Sequence, residues 1–203
     1  MKATDFDLSQ DLKFDMSKGI TSFKDTRLVL LDANALGLLR SKIVEVVGKD
    51  KAREIYLQFG YQQGFSDFLQ MQLNYDFGTE MDLLASGPVI HTWEGIVKAV
   101  PSEIRFNRDE NKMYFTGVWE NSYEAEQFLQ YNDVATEPQC WTLTGYASGW
   151  ITAFFSKPVL AFETHCKAKG DFNCGWLAQT PEQFGEEAKP YIDALNIFWK
   201  EVQ

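Results

Sequence analysis

Cysteine and histidine are scarce in this chain, with three of the first and two of the second among 203 residues. Three thiols are an odd number for a disulfide framework, which leaves metal binding or buried free thiols. Cationic excess is missing as well. Nineteen Lys and Arg face 29 Asp and Glu, a net charge of −10, whereas a nucleic-acid surface needs clustered positive charge. No run of about 18 apolar residues occurs, so no transmembrane helix is expected. The start, Met1-Lys2-Ala3-Thr4-Asp5, lacks the apolar core of a signal peptide, and a cytoplasmic location is the expectation. Nucleophile elbow, phosphate loop, dinucleotide fingerprint and His-Glu-x-x-His are all absent, and nothing in the sequence requires catalysis.

Aromatic residues, by contrast, are plentiful: 16 Phe, eight Tyr and six Trp. That supply can line a pocket for a flat apolar ligand, although aromatic side chains are more often plain core. The length fits one domain. Residues 1–25 read as an irregular N-terminal arm that docks, 26–184 as the body, and 185–203 as the start of a C-terminal helix.

Within the body, Arg27 to Leu31 reads as a short buried strand. Asp32 or Asn34 caps a helix to Val47, with Leu36, Leu39, Ile43 and Val47 spaced for one apolar face. Gly48 ends it, and Lys51 to Leu73 forms a longer partner, making an αα-hairpin. Gly60 and Gly64 let another backbone approach closely, either inside the domain or across a dimer. Asp76 to Gly87 reads as a loop with a short helical piece around Met81 to Ala85. Strands follow at Lys98–Arg105 and Lys112–Trp119. Asn121 or Ser122 caps a helix to Tyr131, and Glu124 in its first turn suits that helix's own dipole. Cys140 to Phe155 is apolar nearly all round, the pattern of a central buried helix. Pro181 starts the last helix.

Between these lies the stretch the chain is organised around. Val159 to Trp176 holds two alternating apolar runs about a Lys-Ala-Lys-Gly-Asp turn, the pattern of a β-hairpin. It carries Glu163, Cys166 and Cys174, and the remaining thiol is Cys140. Three thiols and a carboxylate make a four-coordinate tetrahedral site for zinc, a closed shell and so a structural one. Buried free cysteines are the plainer reading. His165 is a possible substitute ligand, but beside Cys166 in a strand it points the other way. His91 is a general base, a ligand donor or a satisfied core histidine. The fold expected is α+β: one mixed α/β domain with an αα-hairpin, a small antiparallel sheet, a central buried helix and a zinc-clasped hairpin.

Three motifs occur in order: Gly87-Pro88-x-x-His91, Cys140-Trp141-x-x-x-Gly145-Tyr146-Ala147, and Glu163-Thr164-x-Cys166 followed by Cys174. With Phe59-Gly60-Tyr61-Gln62-x-Gly64, they resemble the effector-sensing domain of bacterial activators of the XylR/DmpR/MopR type, within the vinyl-4-reductase-like superfamily. The resemblance covers roughly Phe23 to Phe184. It implies a non-enzymatic sensor with structural zinc on Cys140, Glu163, Cys166 and Cys174. It also implies a pocket in which His91 and Trp119 hydrogen-bond a phenolic hydroxyl: the indole donates and a neutral imidazole accepts the phenol proton. Leu84, Gly117, Thr144, Tyr146 and Ala161 complete the expected pocket. Small residues at Gly117, Thr144 and Ala161 suggest a cavity enlarged for substituted or two-ring aromatics. Relatives of this type are homodimers that control an adjoining ATPase domain through a linker helix. With no Walker or helix-turn-helix segment in the chain, direct DNA contact is not carried over, and the chain is either a sensor fragment or a stand-alone module. A second reading is a stand-alone superfamily member binding small molecules or assisting a tetrapyrrole-related reductase. A third is a structural dimerisation module.

Overall fold

A computed structural model describes residues 1–200, and in it the amino-terminal stretch is already sheet. After a short helix α1 (Leu8–Asp11), strands β1 (Leu12–Asp15), β2 (Ile20–Phe23) and β3 (Thr26–Leu28) form an antiparallel meander. Residues 1–25 are therefore not irregular, and the boundary expected at Asp25 falls inside the turn joining β2 to β3. Alternation is faint here because Phe23 is the strand residue that becomes fully buried. With Phe6 it packs on Tyr75, and Trp93 Nε1 donates to the Phe6 carbonyl at 3.2 Å. The strand expected at Arg27 to Leu31 stops at Leu28, and Val29, Leu30 and Leu31 are exposed.

Helix α2 (Ala33–Val47) starts where Asp32 accepts from the Ala35 N–H at 2.7 Å, and α3 (Lys49–Asn74) follows directly. On α2 the buried residues are Gly37 and Arg40, while Leu39 and Val47 of the expected apolar face are exposed. Arg40 is drawn inward by Glu124 and Gln139. The region expected as mostly loop is instead one helix, α4 (Glu80–Trp93), with Pro88 inside it.

Strands β4 (Lys98–Asn107) and β5 (Lys112–Glu120), helix α5 (Tyr123–Tyr131) and helix α6 (Trp141–Phe155) come next, then β6 (Leu160–His165), β7 (Cys174–Gln179) and α7 (Lys189–Trp199). The helix expected at Pro181 begins only at Lys189, after two short 3₁₀ turns separated by Gly185. Residues 201–203 of the expected C-terminal helix lie outside the described residues. The second sheet runs β4-β5-β7-β6, all antiparallel. Along β5, Met113, Phe115, Gly117 and Trp119 face inward.

Helix α6 is the core element: thirteen of its fifteen residues are buried, between α3 and the sheet. Its closeness to α3 depends on Gly60 and Gly64 facing Gly145 and Gly149. A Cβ at any of the four would overlap backbone of the opposite helix. The Gly60/Gly64 pair thus serves packing inside the domain. At the start of α6, the buried Glu124 carboxylate accepts from the N–H groups of Thr142 and Leu143 at 3.1 and 3.0 Å. Glu124 thus lies in the first turn of its own helix, as expected, and also serves the N-terminus of α6.

Candidate functional site

The β6–β7 hairpin brings the four expected metal ligands together. The register of β6 against β7 shifts between Glu163 and His165, and just beyond it Cys166 is fully buried while His165 is exposed. Cys140 comes from the residue preceding α6 and Cys174 from the first residue of β7. Their sulfur atoms lie 3.9 Å (Cys140–Cys166), 3.7 Å (Cys140–Cys174) and 3.8 Å (Cys166–Cys174) apart. Tetrahedral zinc with bonds of about 2.3 Å to sulfur requires sulfur–sulfur edges of about 3.8 Å. Glu163 Oε2 accepts from the Cys140 N–H at 2.9 Å, while Oε1 is buried without a partner. All four ligand atoms lie within 4.8 Å of one another.

The electrostatics favour a cation there. Burial pushes the Cys140 thiol and the Glu163 carboxyl well up. Hydrogen bonds from Cys140 and then Cys174 hold Cys166 far below the usual thiol range. Protons shared among crowded, buried donors are what a divalent ion displaces on binding. Ser122 Oγ lies 3.2 Å from Cys140 Sγ, and the Lys167 N–H points at Cys174 Sγ at 3.3 Å. Such outer contacts orient thiolate ligands.

A second feature sits between α4, α6 and the sheet. His91, Trp119 and Tyr146 line one small apolar cavity of about 30 Å³, together with Phe115, Trp150 and Trp176. The His91 and Tyr146 ring centroids are 3.6 Å apart. Complete burial lowers the His91 pKa to about 3, so the imidazole is neutral and keeps one nitrogen free to accept.

The other expected pocket residues are placed elsewhere. Leu84 is buried one turn before Pro88, and its carbonyl accepts from Trp150 Nε1. Thr144 and Ala161 are buried around Ser148, which donates to the Thr144 carbonyl and accepts from the Ala161 N–H. Gly117 lies under Trp176, whose Cζ2 would be 2.7 Å from a Cβ there. The enlargement expected from these small residues is therefore not seen. Gly117 and Trp176 are register partners on adjacent strands, so the large ring fills what the glycine leaves. Only strand pairing reveals that compensation, which is why Trp176 was missed as a pocket residue.

Behind Tyr146 lies a polar cluster that sequence reading also missed. The Tyr146 hydroxyl, Asp67 Oδ2 and Glu94 Oε2 are buried without a hydrogen-bond partner. Burial raises Asp67 to about 6, against a downward pull from Tyr146 and Gln63. Burial raises Glu94 to about 8, with help from the Asp67 charge. These residues come from α3, from the end of α4 and from α6, so no local spacing links them.

Comparison with known proteins identifies relatives of the chain as a whole. A family described as activator of aromatic catabolism matches residues 7–107. Phenol regulator MopR of Acinetobacter guillouiae is 31% identical over 173 residues, which is 83% of this chain and 30% of that protein. Transcriptional regulatory protein XylR of Pseudomonas putida is 26% identical over 180 residues, 89% of this chain and 32% of that one. The chain thus spans about a third of the length of these relatives. The crystal structure of the phenol-responsive sensory domain of the activator PoxR with phenol has a TM-score of 0.86 and 29% identity, covering 95% of this chain and 94% of that one. The chain belongs to the sensor-domain family of the aromatic-responsive transcriptional activators.

Proposed function

We propose that this chain is the effector-binding part of a transcriptional activator, that it binds a single-ring phenol-like molecule, and that it acts without catalysis. The observation that carries the reading is the meeting of His91 and Trp119 on one buried apolar cavity. A neutral imidazole accepts the phenol proton and the indole N–H donates to the phenol oxygen, so the pair selects a hydroxyl. Apolar burial of the ring supplies most of the affinity. At about 30 Å³ the cavity holds little more than one or two water molecules. Binding therefore includes a shift of the Trp176 or Tyr146 ring. The phenol-bound PoxR domain, alike over nearly its whole length, supports this reading.

Zinc is the ion that best fits three thiolates and a carboxylate at these spacings, and its role would be structural. The four ligands would tie the β6–β7 hairpin to the start of α6, which forms one wall of the cavity. In the full activator we place a homodimer of this domain next to an ATPase domain, in the cytoplasm, with α7 leading towards that domain. Sedimentation or light scattering of the chain reads the dimer directly.

Titration calorimetry with phenol tests the central reading. His91→Ala and Trp119→Phe should each weaken binding about tenfold or more, the worth of a buried hydrogen bond to a ligand. Unchanged affinity in both variants would remove the proposal.

A further inference from the structure

A larger cleft, of about 300 Å³, lies between α2 and α5 above the segment that leads into Cys140. It shares no lining residue with the effector cavity, and its size is at the lower end of small-molecule sites. Its central group is Arg40, a buried guanidinium stacked 4.0 Å above the Trp141 ring. Arg40 Nη1 donates to the Gln139 carbonyl at 2.7 Å and reaches Glu124 at 3.5 Å, and Nη2 donates to Gln139 Oε1 at 2.9 Å. A guanidinium has five N–H groups. Nε and the second Nη2 hydrogen have no partner among the described residues.

A purely structural arginine would be packed on every side, yet this one borders open space. Lys49 stands at the rim, half exposed and 3.0 Å from Glu137. Phe128, Trp141 and Val44 supply apolar wall. Gln127, also lining, has a buried side-chain oxygen with no partner. In a chain of net charge −10, the charged groups lining this cleft are two cations and one carboxylate.

We propose that this cleft is a second ligand site, distinct from the effector cavity, for a small carboxylate with an apolar ring or short chain. The carboxylate would meet the two free N–H groups of Arg40 and the Lys49 ammonium, a pairing that guanidinium geometry favours. The apolar body would lie on Phe128 and Trp141. An occupant would bear directly on the Arg40–Gln139 contact, one residue from the Cys140 metal ligand.

Titration calorimetry of the intact chain with benzoate, and with benzamide as its uncharged counterpart, tests this. Expected are saturable benzoate binding at millimolar concentrations or below, none with benzamide, and no change when phenol is present. Ser41→Phe, which fills the cleft, should abolish benzoate binding and leave phenol binding and metal content intact. Lys49→Ala, at the exposed rim, should weaken benzoate about two- to fivefold and does not threaten folding. No saturable benzoate heat, equal binding of benzamide, or displacement by phenol overturns the proposal. So does a folded Ser41→Phe or a Lys49→Ala with unaltered benzoate affinity. The effector reading is judged apart from these results, by phenol binding to the His91→Ala and Trp119→Phe variants.

Discussion

The indole nitrogen of Trp150 donates to the carbonyl oxygen of Leu84 across 3.1 Å. In an uninterrupted helix that carbonyl would accept from residue 88, and residue 88 is a proline with no N–H to give. Trp150 therefore replaces the missing backbone bond and lets α4 continue to His91. Gly87 leaves room for the ring, since a Cβ there would lie 2.5 Å from it. Trp150→Phe should cost about 1–3 kcal/mol by leaving a buried carbonyl without a donor. In a Pro88→Ala background the backbone N–H returns, and the same change should cost less. Chemical denaturation of the four proteins measures this, and additive costs would contradict it.

The metal cluster has a test independent of any ligand. Chain purified without added metal should hold about one zinc ion per protomer by elemental analysis. A strong chelator should lower the melting temperature, because the binding free energy of a structural ion is folding free energy. Cys166→Ala should do the same or prevent folding. A melt unchanged by chelation would rule out a structural ion.

Stability should depend on pH in two opposing ways. Asp67 and Glu94 are raised in the folded chain, to about 6 and about 8. Each holds its proton more tightly when folded, so its contribution is complete below the ordinary carboxyl range near pH 4. That contribution is lost as pH rises through 6 and then 8. His91, lowered to about 3 from 6.5, has the opposite sign: its contribution is present above pH 6.5 and lost as pH falls towards 3. Melting temperature should thus decline from pH 6 to 8.5, at about 2–4 °C per kcal/mol for a chain of this size. Asp67→Asn and Glu94→Gln should flatten that decline. Parallel slopes in wild type and variants would show that the acids do not titrate in this way.

Trp176 bounds the cavity beside His91 and lies over Gly117. Trp176→Leu should open space and shift preference from phenol towards dimethylphenols, read as a ratio of dissociation constants. Phenol itself should bind more weakly for want of ring contact. Gly117→Ala acts in the other direction: its Cβ would meet the Val100 carbonyl oxygen at 2.5 Å, and the domain should lose stability by about 1–3 kcal/mol. A Trp176→Leu protein with the wild-type order of affinities would detach this residue from selectivity.

Periodicity was informative where burial is one-sided or total. A cap at Asp32 or Asn34, the span of α6 and the strand β5 were legible, because capping oxygens, all-round apolarity and strict alternation are local signals. The amino-terminal meander was not, since its strands are mostly half-exposed and carry little alternation. Helix α4 was not either: Pro88 reads locally as a break, and the donor that repairs it comes from Trp150, more than sixty residues away.

The sequence by itself determined the ligand types of the candidate metal site and the family, since Cys140, Glu163, Cys166, Cys174 and the ordered glycine and histidine motifs are matters of residue identity. Only the tertiary structure decided that a register shift beside Glu163 lets those four atoms converge, and that Trp176 closes the space Gly117 leaves. It alone gathered Asp67, Glu94 and Tyr146 behind His91. Each of those outcomes depends on strand register or on helices meeting across long separations in the chain, and local spacing does not encode either.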